Sequence, residues 1–371
     1  MANRYWVGGA GDWNATTTHW SETDGGANGA SSPNENDDVF FTNLSGLSAG
    51  NTINLSKSTD ICRCKNFTST TGVAYKFKYV TSDLHIYGNA IFESGITGAA
   101  SDTYFYFVPT ANDCTIQFNG CSLSYIIFGD TSVTTNRGGK KTLLDSLSIT
   151  ISGGKLELRS DTIDVGNNNI TVPTVSIPSG TASRYPTILM GSGVWTITGV
   201  GTAWSRASTQ AIITPQTSTI KFSNTSSSAI TFAGFGKNYN TVWFDRGSSA
   251  ATNTISGSNT ISEFKDTGTV VHQTNFTAGT SQTITTWNAN GTVGKVFKLR
   301  STSTSNANLI KYGGGVVNLA YLDIDYITAS PLNTWLTDIT SIAGGHTVGF
   351  VWDELRDPKR MGVLDRTMKL Y

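Results

Sequence analysis

The chain has 371 residues, a formal net charge of zero and only 14% charged residues. Thr, Ser, Asn and Gly supply roughly two-fifths of it and Glu occurs six times, so straight-chain helix formers are scarce while residues suited to pleated surfaces abound. A mostly helical protein is excluded. So is a disordered Ser/Thr-rich stalk, because 38% hydrophobic and 11% aromatic residues can bury enough surface to offset chain entropy.

Charge also narrows the partners. Twenty-six bases balance twenty-six acids with no Lys/Arg run longer than two, so counterion release has no source and nucleic acid is not an expected ligand. The first residues lack the apolar core of a secretory signal, and no apolar stretch approaches the roughly 18 residues of a membrane span. Synthesis in a cytoplasm without a cleaved signal, and no membrane insertion, is the expectation. Cys62 and Cys64, then Cys114 and Cys121, lack the two- or four-residue spacing of a zinc knuckle. They are expected to be reduced, half-buried thiols, with no metal or cofactor.

Residues 1–46 form a distinct module. Trp6, Trp13 and Trp20 fall at intervals of seven, but Gly8-Gly9, Gly25-Gly26 and the Asn/Asp/Thr clusters break any helix. Tight turns pinned by stacked indoles are predicted, followed by a strand over 38–42. Gly8-Gly9-Ala10-Gly11-Asp12 brings its Asp one residue too early for a calcium-binding Gly-Gly-x-Gly-x-Asp turn, and one copy is not the array a calcium solenoid requires.

Residues 47–142 read as short strands. Tyr75, Phe77 and Tyr79 alternate with Lys76 and Lys78, and residues 103–108 alternate likewise, the mark of a half-buried strand. Antiparallel pairing and the irregular start of a solenoid both remain open here.

From 143 to 350 the texture changes. Leu156/Leu158, Ile163/Val165 and Ile170/Val172 follow one another every seven residues with small polar corners between. Such a chain turns too often for a sandwich and winds into an all-β parallel β-solenoid with about three short faces per turn. Residues 260–269 align with 283–292 at an offset of 23, which predicts an interior ladder of Phe244, Phe264, Trp287 and Ile310. Residues 317–327 read as one long alternating strand. The segment 351–371 carries nine charged residues in twenty-one, with Pro358, and is predicted to be a capping or docking tail, its candidate contacts being Trp352, Asp353 and Arg356.

Chemistry has few places to reside. Asp323 and Asp325 share a strand face at a spacing compatible on paper with an inverting carboxylate pair, though an outward Asp on an alternating strand is the ordinary outcome. Asp245, Asp266 and Asp323 would stack on successive turns if the period held. His19, His85, His272 and His346 are scattered, and neither Gly8-Gly9 nor Gly313-Gly314-Gly315 opens a helix as a phosphate loop must. No catalytic residue is assigned. A surface of hydroxyls, amides and rings suits glycan contact or packing against another chain.

The opening Tyr5-Trp6-Val7-Gly8-Gly9-Ala10-Gly11-Asp12-Trp13, with His19-Trp20, Gly25-Gly26, Pro33 and Asp37 to Phe41, resembles an amino-terminal module of uncharacterised β-rich structural proteins of tailed bacteriophages. It is more loosely similar to the Trp-rich turns of autotransporter-type adhesin repeats. Gly191 to Trp204, Phe232 to Phe244, Ile255 to Phe264 and Phe276 to Ile284 resemble the same phage group, so that about half of the chain is covered. The resemblance implies a virion component, a tail fibre, spike or head decoration protein. Its expected partners are other virion proteins, further copies of itself, trimers being common in fibres, and host-surface glycan. It transfers no catalytic residues, and residues 50–140 and the tail lie outside it. Trp6, Trp13 and Trp20 in the amino-terminal module and Phe264 and Trp287 in the body are the other structural or docking candidates. Two other readings are a tailspike-like polysaccharide depolymerase using Asp323 and Asp325, and a bacterial surface adhesin.

Overall fold

A computed structural model describes residues 2–15, 17–56, 61–98, 103–108, 110–129, 138–179, 185–207 and 210–352. Among them there is no helix. Short strands pair in parallel, turn upon turn, into about 12 turns of β-solenoid. Two compact units are distinguished, residues 1–199 with 203–219, and residues 200–202 with 220–371. Asp353 and Arg356 lie outside the described residues.

In the first unit each turn has three faces. The first face starts with Asn3–Trp6, Asp38–Thr42 and Phe67–Thr70 and continues through Asp161–Asp164 to Pro186–Leu189. The second runs through Gly11–Asp12, Thr52–Leu55 and Lys76–Tyr79, and later turns place Ile170–Val172 and Val194–Ile197 there. The third includes Cys62–Cys64, Leu84–Ile86, Tyr104–Phe107 and Lys155–Leu158. Strands of two to four residues are all that such faces need, and the three seven-residue doublets occupy one face each: 155–158, 161–164 and 170–172. Parallel pairing begins with the first strands, Arg4 opposite Val39, and runs through residues 47–142, which settles the choice left open there.

Alternation then decides the core. Phe41, Phe67, Phe92 and Phe118 point inward from successive turns, their rings 5.6, 4.9 and 5.9 Å apart, and all four are fully buried. Each such side chain contributes about 1.5–3 kcal/mol by burial, and each ring pair about 0.5–1.5 kcal/mol more. Tyr75 and Phe77 join this core, but Tyr79 is 38% exposed, because its strand ends there. None of the four cysteines is in a disulfide and all are buried rather than half-buried, and burial pushes the Cys64 and Cys121 thiols up.

Trp6, Trp13 and Trp20 are each 0% exposed. Trp20 meets Trp6 and Trp13 edge-on at 5.1 and 5.0 Å. Two of the indoles are satisfied by the turns they pin, Trp6 Nε1 donating to Gly9 O at 2.7 Å and Trp20 Nε1 to Trp13 O at 2.6 Å, whereas Trp13 Nε1 is buried without a hydrogen-bond partner among the described residues. Trp20–Ser21 pairs antiparallel with Asn3–Trp6, closing the first edge of the sheet as a capping turn must.

In the second unit most turns have two strands. One is short, such as Asn253–Ser256 or His272–Phe276, and the other long, as in Asn238–Phe244, Thr260–Asp266 and Ser281–Asn288. Thr260 pairs with Thr283 and Phe264 with Trp287, so the offset of 23 holds there. The ladder differs from the expected one at both ends. Phe264 lies on Val242, while Phe244 pairs with Asp266, because the step there is 22 residues (242 to 264) and not the 20 that would set Phe244 against Phe264. Ile310 pairs with Thr283, because the following turn is longer. Trp287 instead meets Trp335 edge-on at 5.5 Å.

The expected long strand over 317–327 is three strands, Val317–Leu319, Leu322–Asp325 and Ile327–Ser330, in three different sheets. Tyr321 and Tyr326 break it, adopting φ of 56° and 55°, a left-handed corner that an alternating apolar pattern conceals.

Candidate functional site

The corners between the third and first faces of the first unit stack into a groove of about 710 Å³. Its walls are Glu35 and Asn36, then Arg63, Lys65 and Asn66, then Tyr87 and Asn89, then Asn112 and Asp113, drawn from four successive turns. The corners are polar for a local reason. An Asn or Asp side chain can accept from backbone N–H groups where the chain leaves the ladder.

Here that habit runs from turn to turn. Asn66 Nδ2 donates to Asp38 Oδ1 at 2.8 Å, and Asn66 Oδ1 accepts from the Asn89 amide at 2.8 Å. Asn89 Oδ1 in turn accepts from the Thr115 amide at 2.8 Å and the Thr115 hydroxyl at 3.2 Å, and Asp113 Oδ1 accepts from the Lys140 amide at 2.9 Å. A glycine is required at 88, since a Cβ there would lie 2.3 Å from Asn66 Oδ1. The ladder fixes the groove's shape before any ligand arrives. Its rim carries amides, an aromatic ring and charges of both signs, the equipment for holding a hydroxyl-rich ligand.

None of these groove residues was singled out by sequence reasoning. The signal was present, because Asn66, Asn89 and Asn112 recur at an even spacing, the same offset that relates Thr260 to Thr283. The first two are register partners across adjacent turns, with Phe67 opposite Ala90.

The residues chosen from sequence go elsewhere. Trp6, Trp13 and Trp20 have no surface left to meet a partner. Phe264 is fully buried and Trp287 is 8% exposed, their rings 4.8 Å apart. Trp352 is half-buried on the last strand of the described residues, Phe350–Trp352.

Asp323 and Asp325 do share a strand. Asp323 Oδ2 is 2.6 Å from Arg300 Nη2, and Asp325 Oδ1 lies 3.3 Å from His346 Nδ1 and accepts from the Tyr326 and His346 amides. Each carboxylate is thus held by its own partners. Asp245, Asp266 and Asp323 do not stack. Asp245 pairs with Lys221 at 2.8 Å, Asp266 is buried against His272 at 2.9 Å, and Asp323 belongs to a different sheet. The four histidines each lie flat on a ring: His19 on Trp6, His85 on Tyr106, His272 on Phe297 and His346 on Tyr326.

Titration is perturbed on this scaffold in two informative places. Burial lifts the Asp83 carboxyl to about 6. Burial opposes the charged form of His272, but the Asp266 carboxylate and the Val270 carbonyl outweigh it and hold the imidazole above its ordinary value. Among the described residues no group of three or more His, Cys, Asp or Glu side chains is placed to hold a metal ion. Compared with known proteins, the chain matches no family model, no curated protein and no solved structure.

Proposed function

We propose that this chain is a structural, surface-binding protein of the kind from which the fibres, spikes and head decorations of tailed-phage virions are built, and that its polar groove contacts a cell-surface glycan. The observation that carries the glycan reading is the preformed Asp38–Asn66–Asn89 ladder beneath a rim of Arg63, Lys65, Tyr87 and Asn112. A groove ordered by the protein's own hydrogen bonds loses little entropy when a ligand binds, and scattered amide and charged groups match the hydroxyls and acids of a polysaccharide. The virion reading is supported by the Trp-rich opening and by a solenoid body whose backbone ladders suit a load-bearing part. Fold alone does not distinguish it from an adhesin.

Two experiments test this. Purified protein is titrated with a panel of bacterial surface polysaccharides, and Glu35→Ala with Asn36→Ala, both at exposed rim positions, is expected to weaken the best binder about tenfold, or about 1.4 kcal/mol. Wild-type protein that binds none of them overturns the glycan reading, and shortening of the polysaccharide replaces it with a depolymerase. Antibodies to the protein are expected to decorate intact tailed particles. Unlabelled particles overturn the virion reading independently.

A further inference from the structure

One buried pair in the first unit takes no part in the apolar packing of the core or in the groove's asparagine ladder. Lys141 points inward with 2% exposure, where an apolar side chain would ordinarily sit. Its Nζ lies 3.3 Å from Cys114 Sγ and 3.4 Å from Thr110 Oγ1, and no carboxylate among the described residues forms an ion pair with it. Cys114 and Lys141 are register partners on adjacent turns of the first face. Cys114 is 4% exposed and lines the groove, so a small oxidant can reach it. Its sulfur faces the Asn112 carbonyl at 3.5 Å. A lone buried thiol would carry no inference. A primary amine held against it, without an acid partner, does.

We propose that Cys114 and Lys141 form an oxidatively closed sulfur–nitrogen cross-link that staples two neighbouring turns at the floor of the groove. The oxidant is a hydroperoxide, of which hydrogen peroxide is the simplest. In the first step Sγ attacks the peroxide, the O–O bond breaks and an S–O bond forms, giving a sulfenic acid and one water as the sulfur loses two electrons. In the second, Nζ gives up its ammonium proton to solvent and its lone pair attacks Sγ, the S–O bond breaks, and hydroxide leaves with an amine proton as a second water. Sulfenic acids are known to condense with neighbouring nitrogen in this way. The register pairing holds Nζ beside the sulfur before oxidation begins, so capture requires no rearrangement of the backbone. Thiols reduce the S–N bond and restore both side chains.

Full-length protein is treated with hydrogen peroxide, digested without reductant and mapped by mass spectrometry. The expected product is a joined peptide holding Cys114 and Lys141, about 2 Da lighter than the sum of its parts and released by dithiothreitol. Lys141→Met is expected to abolish it and to raise labelling of Cys114 by a sulfenic-acid probe about tenfold. Recovery of Cys114 in wild-type protein as probe adduct or sulfinic acid, with no joined peptide, overturns the proposal without recourse to a variant. A joined peptide that persists in Cys114→Ser overturns it as well.

Discussion

The two units close a β-solenoid turn in different ways. In the first, three short strands share the perimeter and the interior is filled by rings, Phe41 through Phe118, and then by aliphatic residues such as Leu156, Ile163 and Ile170. In the second, two strands of unequal length do most of the work, and part of the perimeter is filled by polar side chains. Arg246, 2% exposed, donates to the carbonyls of Asn224, Ser226 and Ser228 at 2.8, 2.9 and 2.7 Å and to Asn253 Oδ1 at 3.2 Å. One turn further on, Asp266 binds His272, Asn253 and Thr274. A strand satisfies its carbonyls by pairing. Where the third strand is missing, a buried guanidinium supplies the donors instead, since unpaired buried carbonyls are costly.

The comparison can be broken most severely at a corner of the first unit. Gly191 has φ of 73°, and a Cβ there would lie 1.3 Å from Gly166 O on the preceding turn. Gly191→Ala is expected to cost about 4 kcal/mol, at the upper end for a single substitution. Gly72→Ala, at φ of 72° with nothing within 4 Å, carries only the conformational strain of about 1 kcal/mol. Urea unfolding of both variants separates collision from strain. Equal losses would show that the close stacking of corners is not what limits this unit.

Arg246→Met is the corresponding lesion in the second unit. It fills similar volume but removes the guanidinium from three loop carbonyls, of which Ser226 O keeps the Ser249 hydroxyl at 2.6 Å, and about 3 kcal/mol of destabilisation is expected. Hydrogen exchange would localise the effect to residues around 224–228 and 251–253. Protection that stays at its wild-type level there would mean that water can replace the guanidinium, and the contrast between the units would lose its basis.

The same contrast explains how much of the molecule the sequence exposed. Three-face turns were legible at 155–172 because each strand carries an inward pair and each corner small polar residues. The second unit was legible only where two successive turns had matching length, as at Thr260 and Thr283. Turns before and after that pair that are longer than the expected ladder requires shifted Phe244 and Ile310 out of it, since loop length varies at little energetic cost. The strand break at Tyr321 and Tyr326 was hidden because tyrosine is not a turn residue by habit. The groove was missed for another reason. Its asparagines look like turn filler one at a time, and become a site only when adjacent turns place Asn66 and Asn89 in register.

A smaller effect should separate the units by pH. His272 gains its partner Asp266 on folding and is held above its ordinary value of about 6.5. Its contribution is therefore complete below that ordinary value and is lost as pH rises through the elevated one. Asp266→Asn is expected to flatten this alkaline decline in thermal melts of the second unit. A decline that survives the substitution would assign it to another group.

The smallest effect lies in the first unit and has the opposite chemical origin. Asp83 Oδ1 is buried without a hydrogen-bond partner, and burial raises its carboxyl to about 6, against an ordinary value of about 3.9. Between those values the folded state holds a proton that the unfolded state has released, so stability falls as pH rises across the window and the cost persists above it. Asp83→Asn removes that cost. Its melting temperature should exceed the wild-type value at pH 7.5, and the gap should narrow at pH 5 as the wild-type carboxyl takes up its proton. The carboxyl is partly open to solvent, which keeps the gain small. A gap of the same size at both pH values would mean that the charge reaches water, and that the first unit, like the second, leaves no buried charge uncompensated at this position.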